Sequence, residues 1–138
     1  MLLRLNKSND STKIVLYCLI ADSYVDDKKI NLGLNYIDSA FILSRKINKP
    51  RSEAYVFNML GNIYNYLNDF NKALDNFERA SVINKKINNK TGLISNFINL
   101  GNSYFYSGNS KKAEVYYRKA LFIYNTGQSD LSTLSNIY

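Results

Sequence analysis

The chain has no histidine and no tryptophan, and in 138 residues it carries one cysteine, one proline and six glycines. Without histidine the commonest general base and the commonest metal ligand are missing, and most hydrolase and metalloenzyme readings fall with them. A lone cysteine, Cys18, forms no disulfide within the chain and builds no thiolate metal site by itself, which fits a cytoplasmic setting. Between Tyr17 and Leu19, with no cation nearby to favour its thiolate, it reads as a packing residue. The longest apolar run, residues 14–21, falls far short of the roughly twenty residues a membrane-spanning helix needs. Residues 1–7 show no apolar core behind a basic start and no small-residue cleavage site, so no export signal is expected there. Few chain breakers argue against a turn-rich β fold.

Rings and charge are present in quantity. Twelve tyrosines and seven phenylalanines accompany 46% apolar and 21% charged residues, the composition of a chain that folds in water on aromatic packing. The net charge is +7, which raises nucleic acid or an acidic surface as partners. The clusters Arg45, Lys46, Lys49, Arg51 and Lys85, Lys86, Lys90 are expected at the C-terminal ends of helices, where cations complement the helix dipole. No rings interleave with them, so no nucleic acid is expected as partner.

Sliding the sequence against itself by forty residues brings eight columns into agreement. They are Ile14, Ala54, Ile94; Tyr17, Phe57, Phe97; Ile20, Leu60, Leu100; Ala21, Gly61, Gly101; Tyr24, Tyr64, Tyr104; Gly33, Ala73, Ala113; Ile37, Phe77, Tyr117; and Ala40, Ala80, Ala120. Within a unit, steps of three and four along Phe57, Leu60, Gly61, Tyr64 and along Ala73, Phe77, Ala80, Ile83, Ile87 are the stripes of two helices. Helices are expected near 12–25, 30–47, 52–67, 70–88, 92–106 and 110–125, with Asp69 as an N-cap and Pro50 between helices. Small residues in three columns let paired helices approach closely, and the aromatic columns fill the space beside them. A single hairpin cannot bury both sides of its apolar face, so hairpins must stack into a solenoid.

This pattern resembles the tetratricopeptide repeat, closely in the second and third units and more loosely in the first, where Ala21, Gly33 and Ile37 depart from it. The resemblance implies an all-α fold, a right-handed superhelical solenoid of antiparallel helix hairpins. One array over 1–138 is expected, with repeats at about 14–53, 54–93 and 94–133 and an incomplete fourth unit beginning at 134–138. The period of forty exceeds the usual ~34, and the extra residues are expected in long second helices, similar to those of bacterial peptide-pheromone receptors, kinesin light chains and spindle-orientation adaptors. Both ends look cut, as in a fragment of a larger protein.

In this family the inner wall of the superhelix comes from the first helix of each pair. By register that wall is Val15, Cys18 and Asp22, then Tyr55, Asn58 and Asn62, then Ser95, Ile98 and Asn102, with Tyr66, Phe105 and Tyr106 at the rim. Asn62 and Asn102 follow Gly61 and Gly101 and resemble the asparagine with which family members hold peptides; a carboxamide offers donor and acceptor side by side. The chain has twenty asparagines, most of them expected as surface residues. Family members that clamp a carboxylate place lysine one turn earlier, where this chain has Cys18, Asn58 and Ile98, so such a clamp is not expected. The expected function is a peptide-binding scaffold or sensor segment with a protein partner, no cofactor, no metal, no membrane insertion and no catalysis. The alternative is an assembly element that self-associates through open ends at Met1–Leu5 and Leu131–Tyr138.

Overall fold

The computed structural model describes residues 9–137, with side chains through Gly127. Six helices follow one another: α1 (Asp10–Asp26), α2 (Ile30–Lys46), α3 (Pro50–Tyr66), α4 (Phe70–Lys86), α5 (Lys90–Tyr106) and α6 (Ser110–Ile137). There is no strand among the described residues. The first five helices have 17 residues each. The residues beyond the usual period are therefore shared between both helices of a hairpin, and the expectation of long second helices is corrected. Pro50 is the first residue of α3, not a residue between helices; its missing N–H belongs to a position with no helical partner. α6 continues past 125 to Ile137. Met1–Leu5 and the side chains of Leu131–Tyr138, named as open ends, lie outside the described residues.

One connection recurs five times. Lys28, Asn48, Asn68, Asn88 and Gly108 each take a left-handed conformation, with φ of 62°, 51°, 60°, 57° and 91°. Asparagine and glycine tolerate that region, which explains their place after each helix. The next backbone N–H turns back on the helix just ended, as in Asp69 N–H to Tyr64 O at 2.9 Å and Asn109 N–H to Tyr104 O at 2.8 Å. The side chains of Asn9, Asp69, Asn89 and Asn109 then cap the following helices by accepting from Thr12, Lys72, Gly92 and Lys112. The Asp69 cap is as expected.

The columns pack as the period requires. Ala40, Ala80 and Ala120 are buried, as are Ala21, Ala73 and Ala113. Gly61 is small because a Cβ there would fall 2.5 Å from the Phe77 ring; Gly101 stands in the same relation to Tyr117. The first hairpin inverts the pair: Ala21 is on α1 and Gly33 on α2, where a Cβ would meet the Ala21 carbonyl at 2.8 Å.

The two seams between hairpins differ in chemistry. Around the first, Ile14, Cys18, Val25, Ile37, Val56 and Ile63 share one apolar cluster with Met59 against it. At the second, forty residues on, Asn58 Oδ1 accepts from Asn96 Nδ2 at 2.9 Å and Asn99 Nδ2 at 3.0 Å, and the Ser103 hydroxyl donates to Asn65 Oδ1 at 2.8 Å. Asn84 Nδ2 donates to Asn96 Oδ1 at 2.7 Å, and Asn89 Nδ2 donates to Asn84 Oδ1 at 3.1 Å. Every buried polar side-chain atom among the described residues has a partner. The asparagines are thus largely structural: Asn76, Asn84 and Asn96 are buried, three sit in left-handed turns and three cap helices.

Candidate functional site

The first helices α1, α3 and α5 lie side by side, and their N-terminal halves enclose an open cavity of about 400 Å³. Val15 of α1, Tyr55 and Asn58 of α3, and Ser95 of α5 line it, all expected wall positions. Asn84, Asn89 and Asn96 of the polar seam form part of its floor, together with Ser11, Ser52 and Thr91. The lining is hydroxyls and carboxamides over apolar atoms, with Arg51 as its one charged side chain.

Cys18 is placed otherwise than the register implied, and two wall asparagines spend their carbonyls within the fold. Cys18 is fully buried in the first seam, and burial pushes its thiol up to about 12; it faces Val56 and its neighbours rather than the wall. Asn102 Oδ1 accepts from the Tyr117 hydroxyl at 2.6 Å, so its carbonyl is engaged. Asn58 likewise spends its carbonyl on α5. Of the expected amide ladder, Asn62 alone makes no side-chain hydrogen bond among the described residues.

Asp22, Ile98, Tyr66, Phe105 and Tyr106 are exposed along the remainder of the first helices, outside the cavity lining. Tyr55 is half-buried against the first cluster, and its hydroxyl is raised in pKa by burial and then by repulsion from Cys18 and Asp22. Phe105 and Tyr106 meet edge to face at 5.8 Å, forming an aromatic end to the wall.

Arg51 was not among the expected wall residues, because the basic clusters were assigned whole to helix C-termini. Only Arg45, Lys46, Lys85 and Lys86 end second helices; Lys49, Arg51 and Lys90 begin the next first helices. Arg45 pairs with Glu53 at 3.8 Å and lies 5.7 Å over the Phe41 ring, on the opposite side of the stack from Arg51. The polar floor was likewise missed, although Leu16, Val56, Asn96 is a column in which an amide replaces two buried apolar residues. No group of three or more potential metal ligands occurs among the described residues, and no helix there is long and apolar enough to cross a membrane.

Stacked hairpins packed through small and aromatic columns define a helical-repeat scaffold. Residues 54–126 match the tetratricopeptide repeat family, more than half of the chain, and the chain belongs to that family. A fold of this kind is a protein–protein interaction scaffold. Among solved structures the chain is similar to BtubC (BKLC) from P. vanneervenii, with a TM-score of 0.74 and 24% identity over 83% of this chain and 48% of that one. It is also similar to the TPR domain of Arabidopsis FLU, with 0.71 and 14% over 86% and 99% of the two chains. A third likeness is the N-terminal domain of stress-induced protein-1 (STI-1) from C. elegans, with 0.66 and 14% over 84% and 88%. At these identities the likeness is one of fold. The chain spans about half the length of the first of these proteins. No curated protein sequence matches it.

Proposed function

We propose that the chain is a peptide-binding segment of a larger cytoplasmic regulatory protein, holding part of a protein partner along the wall of α1, α3 and α5. The observation that supports this most is the cavity of about 400 Å³, lined chiefly by uncharged hydrogen-bonding groups with Arg51 as its one charged side chain, on the same first helices that expose Ile98, Tyr66 and Tyr106. Asn62, with both amide groups unengaged by described residues, offers a donor and an acceptor to an extended peptide unit. Asn58 and Asn102 contribute donors only. No catalytic step is proposed. The test is site-specific photocrosslinking in the source cell, with a benzophenone side chain at Ser95 or Ile98 and, as control, at Lys86 on the other side of the stack. Crosslinking of one partner from the first two positions, weakened by Asn62→Ala, supports the reading; crosslinking from Lys86 alone overturns it.

A second reading, self-association through an open end, rests on α6. Tyr117 is 36% exposed where its counterparts Ile37 and Phe77 are fully buried, and Val115, Leu121 and Tyr124 are exposed beside it. Sedimentation of the purified chain over a range of concentrations separates the two: a monomer throughout removes this reading.

A further inference from the structure

Three rings form the same stack in the first and third hairpins. Tyr36 lies nearly parallel to Tyr24, with centroids 5.6 Å apart, and tilted against Tyr17 at 6.0 Å. Tyr116 lies nearly parallel to Tyr104 at 5.5 Å and tilted against Phe97 at 6.0 Å. In the second hairpin the outer places are held by Phe57 and Tyr64, but the central place falls to Asn76. Its amide is turned back on its own helix, Nδ2 donating to Lys72 O at 2.8 Å. Where the ring is missing, a hollow of about 430 Å³ opens between α2 and α4, on the side of the stack away from the wall of first helices.

Three of the groups that hold the third hairpin's tyrosine, Phe97, Glu78 and Lys119, have counterparts lining this hollow, while Tyr64, the counterpart of Tyr104, lies outside its lining. Tyr116 donates its hydroxyl to Glu78 Oε1 at 3.0 Å. Forty residues before Glu78 stands Asp38, which lines the hollow and makes no hydrogen bond or ion pair among the described residues. Lys119 Nζ lies 4.7 Å from the Tyr116 centroid and 5.8 Å from that of Phe97. Its counterpart Arg79 lines the hollow with its guanidinium 5.9 Å over Phe57. An aromatic floor, in which Phe41 meets Phe57 edge-on at 4.8 Å, a cation over it that pairs with Asp75 at 3.0 Å and the carboxylate of Asp38 at the edge thus line a space whose central place is held by an amide and not by a tyrosine.

We propose that this hollow is a docking site for a tyrosine side chain presented by a partner protein, which supplies from outside the ring that the first and third hairpins supply themselves. The ring lies tilted against Phe57 under Arg79, as Tyr36 does against Tyr17 and Tyr116 against Phe97, and its hydroxyl donates to Asp38. Phenylalanine would leave that carboxylate without the donor, so the site selects tyrosine. The surface is separate from the groove on the first helices, and neither proposal depends on the other.

The test is a titration of the isotope-labelled chain with N-acetyl-L-tyrosinamide at millimolar concentration, followed by amide chemical shifts. Saturable shifts at Phe57, Asn76 and Arg79 are expected, with N-acetyl-L-phenylalaninamide binding about tenfold more weakly, the worth of one hydrogen bond to a charged acceptor, and N-acetyl-L-leucinamide giving no saturation. Asp38→Asn should narrow the preference for tyrosine. Asn76→Tyr, which restores the ring in place, should raise the thermal midpoint and abolish the shifts. Saturation by leucinamide, shifts unchanged in Asn76→Tyr, or an Asn76→Tyr chain that fails to fold would each overturn the proposal. Dimerisation that occupies the same residues without the probe would assign the hollow to a second copy and also overturn it.

Discussion

Asn96 donates to Asn58 across 2.9 Å at the position in the stack where, forty residues earlier, Val56 and Cys18 share an apolar cluster. The same helix-to-helix contact is thus made once with carbons and once with amides. An amide pair contributes about 0.5–1.5 kcal/mol per bond while both partners are present, and removing one leaves the other's desolvation uncompensated. The second seam is therefore more sensitive to single substitutions than the first.

Asn96→Val should accordingly destabilise the chain by about 1–3 kcal/mol, because the buried Asn84 Nδ2 loses its acceptor and Asn58 Oδ1 keeps only its bond from Asn99. The combined change Asn58→Cys, Asn84→Ser, Asn96→Val, Asn99→Met copies Cys18, Ser44, Val56 and Met59 of the first seam, and should recover most of that loss. Urea unfolding of the two variants is the measurement. A combined variant less stable than Asn96→Val would show that the seams are not geometrically equivalent.

The repeating hairpins were legible from the sequence because a stacked fold repeats its constraints, and each constraint returns at the same column. Gly61 and Gly101 mark where a ring must lie, and Asp69 marks a helix start. The wall was legible in part: Tyr55, Asn58 and Ser95 do line the cavity. Cys18 was misplaced because one helical position separates the wall stripe from the stripe that faces the next hairpin, and spacing alone does not locate that border. The polar seam was hidden by residue type. Asparagine serves here in left-handed turns, in caps and in the buried network, so only comparison down a column, as in Leu16, Val56, Asn96, distinguishes the third use from the others.

Cys18 carries a pH signature. Burial raises its thiol from 9.0 to about 12. Below pH 9 it is protonated in both states and contributes no pH dependence. Between pH 9 and 12 the unfolded chain releases this proton while the folded chain retains it, so the folded state is progressively disfavoured as pH rises. The difference in urea midpoint between the parent and Cys18→Ala should therefore shrink from pH 8 to pH 10.5, a comparison that cancels the titration of lysines and tyrosines. The native thiol should also resist a disulfide reagent at pH 8 until the chain unfolds.

Lys28 takes φ of 62° where the other four connections use asparagine or glycine. A lysine has no side-chain group that offsets the left-handed conformation, whereas asparagine visits it routinely. Lys28→Asn should stabilise the chain by roughly 0.5–1 kcal/mol. A thermal midpoint at or below that of the parent would contradict this.

Gly61→Ala should be clearly more destabilising than Gly101→Ala. Each replaces a helical glycine by the best helix former, worth about 1 kcal/mol in favour of the variant. Against it stands a methyl group driven into the ring of Phe77 or Tyr117. Phe77 is fully buried between α3 and α5, packed with Leu100 and Ala73, and has no room to retreat. Overpacking of that kind costs about 1–3 kcal/mol, so Gly61→Ala should be net destabilising. Tyr117 is 36% exposed on the last helix, and its one hydrogen bond, to Asn102, is solvent-accessible. Its ring can swing outward at the cost of that bond, about 0.5–1.5 kcal/mol, leaving Gly101→Ala near neutral or slightly stabilising. Thermal unfolding of the two variants side by side reads the difference directly. If both fall equally, Tyr117 is held as firmly as Phe77, which requires that something cover the outer face of α6 in solution, and the sedimentation experiment should then find an associated species.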